Sequence, residues 1–171
     1  MSHEFINVDE NLRLEQLTPD RAGEVFTITD QNRDYLGKFM PWVPYIKSPE
    51  DSLNYINETI ESRKLGAKYS YGVVYDETLV GNVSLRNLNH ESLRPEIGYW
   101  IIPEYSGKGI TTRAVKVLTE LGLKSLELDQ IILRANPENV ASNKVAEKAG
   151  YQLVDYEVED GEPLNVWSIS K

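Results

Sequence analysis

The chain has 171 residues, no cysteine, and 27 Asp and Glu against 18 Lys and Arg, for a formal net charge of −9. That length suits one domain with a sizeable core, and the lack of cysteine excludes disulfides, thiolate metal sites and a cysteine nucleophile. The acidic balance carries no basic footprint for nucleic acid and suits cationic partners such as amines or basic protein tails.

Asn11 to Leu17, "NLRLEQL", alternates apolar and polar residues as a half-buried strand does. Thr18-Pro19-Asp20 offers a cap and a first-turn proline, predicting a helix to about Arg33. "GKFMPWVPYIKSPEDS" is rich in proline and aromatics and reads as a loop. Ser48 then caps a second helix, with Pro49 at its first position and Asp51 three residues on, running to about Lys64. Tyr69 to Tyr75 and Leu79 to Leu85 read as a hairpin joined at "DET". "NLNHESLR", residues 87–94, is a polar turn, and Glu96 to Ile102, "EIGYWII", is a strand. The glycine inside it, Gly98, marks a bulge or a close backbone approach.

Ile110, Ala114, Val117, Leu118 and Leu121 recur at helical spacing. "QIILRA", Gln130 to Ala135, is a short buried strand. Asn139 to Ala149 is a short helix closed by Gly150, with Lys144 and Lys148 in its last turn. Two strands, roughly 151–158 and 164–170, end the chain. This order describes a mixed α/β sheet, neither all-parallel nor a simple sandwich. No repeat or long linker interrupts it, so residues 1–171 read as one domain with a core of about 11–170.

The segment "PEYSGKGITT", Pro103 to Thr112, joins a strand to a helix through two glycines flanking a lysine. A helix start exposes backbone N–H groups at its positive end, a ready site for phosphate. Gly107 and Gly109 let the backbone turn tightly and approach a ligand, Lys108 adds charge, and Thr111 and Thr112 add hydroxyls. Residues 103–124 also hold four bases (Lys108, Arg113, Lys116, Lys124) against two acids (Glu104, Glu120). An anion cradle is one reading; a plain glycine turn entering a core helix, with a solvated charged face, is the other. The spacing is not that of a P-loop, and Thr112 stands where a dinucleotide fingerprint needs its third glycine.

Two motifs in this order resemble the GNAT superfamily of acetyl-CoA-dependent N-acetyltransferases, most closely its RimJ/RimL type, the ribosomal-protein N-terminal acetyltransferases. That family's central motif is [Q/R]-x-x-G-x-[G/A] after a bulged strand, and Ser106 to Thr111 occupies it, with Gly109 on the central glycine. Ser106 replaces the usual Gln or Arg, and Thr111 the small last residue. The second motif, N-x-x-S-x-x-V-A-E-K-x-G-[FY], is matched by Asn139, Ser142, Val145, Ala146, Glu147, Lys148, Gly150 and Tyr151. "EIGYW" at 96–100 and "MPWVPY" at 40–45 are similar to the same branch, so the resemblance spans nearly the whole chain.

The resemblance implies a central, mostly antiparallel sheet, splayed at a bulged strand, with helices on both faces. It implies acetyl-CoA as cosubstrate, its pyrophosphate on the N–H groups of Gly107, Lys108, Gly109, Ile110, Thr111 and Thr112. The pantetheine arm would follow the backbone of Tyr99, Trp100, Ile101 and Ile102, and Asn139 would contact its amide or orient the loop. An N–H near Gly98 or Tyr99 would polarise the thioester carbonyl. Many relatives place a tyrosine where this chain has Ala146, which leaves Ser142 as the hydroxyl for the departing thiolate; back-bonding within its own helix is the competing role. The base that takes the ammonium proton is Glu96, with Glu157 and Glu159 as alternatives. Trp42 and Tyr45 belong to the acceptor wall or to the core. His3 and His90 read as surface residues.

The expected reaction is acetyl transfer to a primary amine by direct attack, the acceptor being the N-terminal α-amine of a ribosomal protein. A small-molecule acceptor (polyamine, aminoglycoside or amino acid) is the alternative, and a non-catalytic acyl-CoA-binding module a third. Two distant histidines and scattered carboxylates offer no metal-ligand spacing. No stretch approaches the roughly 18 apolar residues of a membrane helix, and "MSHEFINVDENLRLEQ" lacks a signal peptide's apolar run. A cytoplasmic location, no nucleic acid, no membrane, and a homodimer or higher homo-oligomer built through the last strands complete the expectations.

Overall fold

The computed structural model describes residues 4–171; His3 lies outside them. One eight-stranded sheet has the order β1-β2-β3-β4-β5-β6-β8-β7. Its strands are β1 (Phe5–Asn7), β2 (Leu12–Glu15), β3 (Tyr69–Tyr75), β4 (Thr78–Arg86), β5 (Glu96–Ile101), β6 (Gln130–Ala135), β7 (Gln152–Glu159) and β8 (Glu162–Ser170). Every neighbouring pair is antiparallel except β5 and β6, which run parallel. The helices are α1 (Ala22–Gln31), α2 (Arg33–Gly37), α3 (Pro49–Lys64), α4 (Ile110–Glu120) and α5 (Val140–Lys148).

Two apolar clusters sandwich the sheet. Val83, Leu85, Ile97, Ile110, Ala114, Leu118, Ile131 and Leu133 join one face to α4, while Leu17, Val25, Ile56, Val74 and Leu79 join the other to α1 and α3. Burial of such side chains is worth about 1.5–3 kcal/mol each, which is why helices cover both faces as expected.

Most expected elements form, with four differences. Three residues, Phe5–Asn7, add an edge strand too short to show periodicity. The first helix is broken. A 3-10 turn at Pro19–Arg21 precedes α1, and α1 stops at Gln31, where Asn32 leaves helical geometry and its Nδ2 donates to Ile28 O at 2.8 Å. Beyond α4 the chain winds a π-helical turn, Leu121–Ser125. Finally, Gly98 marks no bulge, because the β4–β5 register runs unbroken across it. Besides a register shift between Leu153 and Asp155 of β7, an irregularity lies between Val73 and Val74 of β3, opposite the start of β4. It switches the side-chain parity of β4, so that Leu79 packs toward α3 while Val83 and Leu85 pack toward α4. Gly98 serves the close approach instead: a Cβ there would lie 2.9 Å from Arg86 Nη1.

Local signals hold at the second helix, where the Asp51 carboxylate accepts from the Ser48 N–H at 3.1 Å in a capping box. The β3–β4 hairpin turns through Asp76 and Glu77, both at positive φ, the backbone that two-residue hairpins favour.

Candidate active site

The site begins as a defect in the sheet. β5 and β6 pair through a single register position, Glu96 with Ile132, and then diverge. A cavity of about 620 Å³ opens at the gap and is walled from both faces of the sheet, by Tyr99 and Ser142 as well as by Trp42, Asn82 and Trp100. That size suits a small-molecule site.

One edge of β5 is free along this gap. Ile102 N–H donates to Val80 O at 2.9 Å, so in an antiparallel ladder the backbone groups of Trp100 and Gly98 also face β4. The backbone of Ile97 points the other way, to the single pair with β6, and beyond it the backbone of Tyr99 and Ile101 points into the gap. Of the expected pantetheine positions, Ile101 therefore offers free backbone groups, whereas Trp100 faces β4 and Ile102 donates to Val80 O and accepts from Tyr105 N–H at 3.1 Å. Of the two N–H groups expected to polarise a carbonyl, Tyr99's faces the gap and Gly98's does not.

The glycine loop lies at one end of the gap. Gly107 and Gly109 have φ of 76° and 75°, left-handed geometry that costs other residues about 1–2 kcal/mol. Gly109 is the N-cap of α4 and provides no side-chain cap. Among the described residues, the N–H groups of Gly107, Lys108 and Gly109 have no acceptor, and a Cβ at either glycine would meet nothing within 4 Å. Lys108 leans over the Tyr105 ring at 5.3 Å, and Arg113 Nε donates to Gly109 O at 3.3 Å while its guanidinium pairs with Asp9. This exposed set of donors at a helix start, with cations beside it, fits a pyrophosphate. Ile110 contributes only backbone, because its side chain is buried in the core. Thr111 and Thr112 are half-buried in the first turn. Ser106 does not reach outward; its hydroxyl donates to Pro103 O at 2.9 Å.

Across the gap, Asn139 caps α5, its Oδ1 accepting from Ser142 N–H at 3.2 Å. The Ser142 hydroxyl does not back-bond into its helix. It meets the Tyr99 hydroxyl at 2.7 Å, and Tyr99 Oη also lies 3.0 Å from Ser142 O. Burial pushes the Tyr99 phenol above its ordinary value, so it stays protonated across the range in which amines titrate. Ala146 is buried in the core. The Tyr99 side chain was invisible to motif reading, because one strand tyrosine resembles any other until its hydroxyl has a partner.

The three carboxylates proposed as bases all converge on one arginine. Arg134 Nε donates to Glu96 Oε1 at 3.0 Å, and its Nη1 lies 2.9 Å from Glu159 Oε2 and 3.5 Å from Glu157 Oε2. Glu96 Oε2 accepts from Arg86 Nη2 at 2.7 Å, and Glu157 Oε1 from Arg94 Nη2 at 2.8 Å. Both Glu96 and Glu159 line the cavity, but Glu96 is 4% exposed, whereas the side chain of Glu159 is 55% exposed. Arg134 is the residue the sequence reading missed. Its signal was available, since a lone charge in the apolar run "QIILRA" requires a partner once buried.

On the α3 side, the Trp42 and Trp100 rings stand 5.7 Å apart at 52° and close the cavity from above. Trp100, expected beside the cofactor, thus packs against Trp42 in the cavity wall. Tyr45 is 76% exposed and is not among the residues that line the cavity. The floor is polar: Asn82 Nδ2 donates to Ser70 Oγ at 3.2 Å, Tyr55 Oη lies 3.4 Å from Ser70 Oγ, the Lys68 ammonium stands 5.0 Å from the Tyr55 ring centroid, and the buried Ser52 hydroxyl has no partner among the described residues. His90 sits in an exposed turn and accepts from Ser92 and Leu93 N–H, both at 3.1 Å. Among the described residues no cluster of His, Asp and Glu is placed to hold a metal, and no helix is long and apolar enough to cross a membrane.

Comparison with known proteins agrees with this geometry. The chain is 33% identical over 163 residues to YdaF of Bacillus subtilis (92% of this chain, 86% of that one), whose name assigns it provisionally as a ribosomal N-acetyltransferase. It is 24% identical over 150 residues to the ribosomal-protein-serine acetyltransferase of Escherichia coli (88% and 84%). Its fold matches the structure of RimL, a ribosomal L7/L12 alpha-N-protein acetyltransferase in complex with coenzyme A, with a TM-score of 0.90 at 20% identity over 98% of each chain. A family model described as "Acetyltransferase (GNAT) domain" matches residues 11–152, and the chain belongs to the GNAT acetyltransferases, of RimJ/RimL type.

Proposed function

We propose that this chain transfers the acetyl group of acetyl-CoA to the N-terminal α-amine of a protein, a ribosomal protein by analogy with its relatives. The observation that carries the reading is the gap between β5 and β6, with a loop of free N–H groups following β5 and a cavity lined from both faces of the sheet. The thioester supplies an activated acetyl group. Gly107 to Thr112 hold the pyrophosphate, and Ile101 offers backbone to the pantetheine arm. Tyr99 N–H stabilises charge developing on the carbonyl oxygen. Ser142 donates to the departing sulfur. Such a site works without a covalent intermediate, so the absence of cysteine is no obstacle.

For the ammonium proton, Glu159 is the better placed base. It lines the cavity, reaches solvent and has one guanidinium partner. Glu96 has a guanidinium on each oxygen and little access to water, so we read it as the anchor of Arg86 and Arg134. A ribosomal acceptor places the reaction in the cytoplasm.

The acceptor is tested by competition. Peptides beginning with Ser or Ala are expected to be acetylated with a higher kcat/KM than spermidine, and spermidine should inhibit them weakly. The small-amine reading draws on Glu159, Asp160 and Glu162 at the cavity wall; it prevails if spermidine is turned over and peptides are not. Trp42→Ala is expected to raise the acceptor KM about tenfold and to leave the acetyl-CoA KM within twofold, because the indole covers the acceptor half alone. Equal changes in both constants would remove Trp42 from the acceptor wall.

A further inference from the structure

We propose that Tyr99 is a positioning residue for the reaction: its phenol donates to Ser142 Oγ and turns the serine hydrogen into the gap, toward the leaving sulfur. This rests on the reading of Ser142 as the donor to that sulfur.

The geometry offers two arrangements. Tyr99 Oη lies 2.7 Å from Ser142 Oγ and 3.0 Å from Ser142 O, and it has one hydrogen to give. If that hydrogen goes to the carbonyl, Ser142 Oγ–H closes the short contact by donating back to the phenol. The serine hydrogen is then used up inside the protein. If the phenol donates to Oγ, the serine hydrogen is free for the gap.

Three features favour the second arrangement. The Oγ contact is the shorter, within the usual range for hydroxyl–hydroxyl bonds. Ser142 O belongs to the first turn of α5, a helix running to Lys148, so it can be met by the backbone N–H four residues on. And burial keeps the phenol protonated, so a permanent donor stands behind Ser142. A hydroxyl that accepts one hydrogen bond donates its own more strongly.

The role also explains how the chain works with Ala146 where many relatives carry a tyrosine. α5 alone presents a serine, whose freely rotating hydroxyl is a weak and poorly directed donor. Tyr99, on the strand opposite and 43 residues away, supplies the orientation. It touches neither the sulfur nor the amine, and it loses no proton in the step.

The test is a double-mutant cycle on the full chain with acetyl-CoA and the best acceptor peptide. Ser142→Ala should lower kcat about 100-fold. Tyr99→Phe, which keeps the ring and removes only the hydroxyl, should lower kcat about tenfold and leave both KM values within twofold. The double variant should equal Ser142→Ala, because Tyr99 has nothing left to orient. Tyr99→Phe should also retain the unaltered chain's acetyl-CoA affinity in calorimetry.

Three results would overturn the proposal. One is unchanged or raised kcat in Tyr99→Phe while Ser142→Ala is impaired, which would mean the phenol holds the serine hydrogen back. Another is losses that multiply in the double variant, which would make the two residues independent. The third is a loss of acetyl-CoA binding in Tyr99→Phe, which would make the residue structural. An active Ser142→Ala chain would overturn the proposal together with the reading beneath it, and by a signature distinct from these three.

Discussion

A Gly109→Trp chain is expected to fold and yet to show no heat of acetyl-CoA binding in calorimetric titration. The loss should be at least about 100-fold relative to the unaltered chain, or roughly 2.7 kcal/mol. Gly109 stands at φ 75° as the N-cap of α4, and a Cβ there would meet no atom within 4 Å. A large side chain therefore projects into open space without displacing the core, and that space is where the loop's donors converge. Leaving glycine at this φ costs about 1–2 kcal/mol, which a chain stable by about 5–15 kcal/mol can absorb. Gly109→Ala separates backbone strain from blockage: it carries the same strain with a single methyl group and should retain most of the affinity. If Gly109→Trp binds as the unaltered chain does, the pyrophosphate lies elsewhere and the loop is a plain turn.

The second large effect divides two carboxylates that share Arg134. Glu159→Gln is expected to lower kcat/KM about 100-fold, at the low end of what proton transfer by a positioned side chain contributes. It should leave the melting temperature nearly unchanged, because its ion pair is more than half exposed on the glutamate side. Glu96→Gln is expected to do the reverse. It removes a buried charge that two guanidiniums face. Breaking fully buried pairs costs about 3–5 kcal/mol, and the partial exposure of Arg86 and Arg134 reduces that to about 2 kcal/mol. For a chain of this length, that lowers the melting temperature by about 4–8 °C. Activity should fall modestly, with its pH profile unchanged in shape. A Glu96→Gln chain that keeps its melting temperature and loses the base limb of the profile would restore Glu96 as the base.

Much of this chain was legible as local pattern. Ser48, Pro49 and Asp51 announce the start of α3, and the structure builds the capping box they spell. The apolar spacing from Ile110 onward becomes the buried face of α4. The glycines of "SGKGI" adopt the left-handed backbone that glycine makes cheap. These features depend on neighbours within one turn of chain, so a reader of the sequence meets all the interacting groups together. The break at Asn32 and the missed edge strand at Phe5–Asn7 mark the lower limit of that reading, where three to five residues are too few for a period to show.

Gly98 was ambiguous in a way only packing resolves. A glycine inside a strand signals either a bulge or a close approach, and both leave the same letter in the sequence. The unbroken β4–β5 register and the guanidinium of Arg86 above it decide for the second. Tyr45 and Trp42 likewise share one proline-rich loop, yet one ring is solvated and the other closes the cavity. Nothing in a loop without periodicity specifies which way each ring turns.

By itself, then, the sequence determined the order of most elements, the glycine loop entering α4, the capped helix carrying Ser142, and through two motifs in order the acetyltransferase family. Only the tertiary structure decided what those parts do to one another. The divergence of β5 from β6 after a single pair frees the backbone of Tyr99 and Ile101 but not of Trp100 or Ile102. Arg134 gathers carboxylates 23 to 38 residues away in the chain, and the Tyr99 hydroxyl finds Ser142 across 43. The physical reason is range. Caps and periods are set by interactions within a few residues, whereas ion pairs and hydroxyl pairs need angstrom placement of groups whose separation along the chain carries no distance information until the sheet has formed.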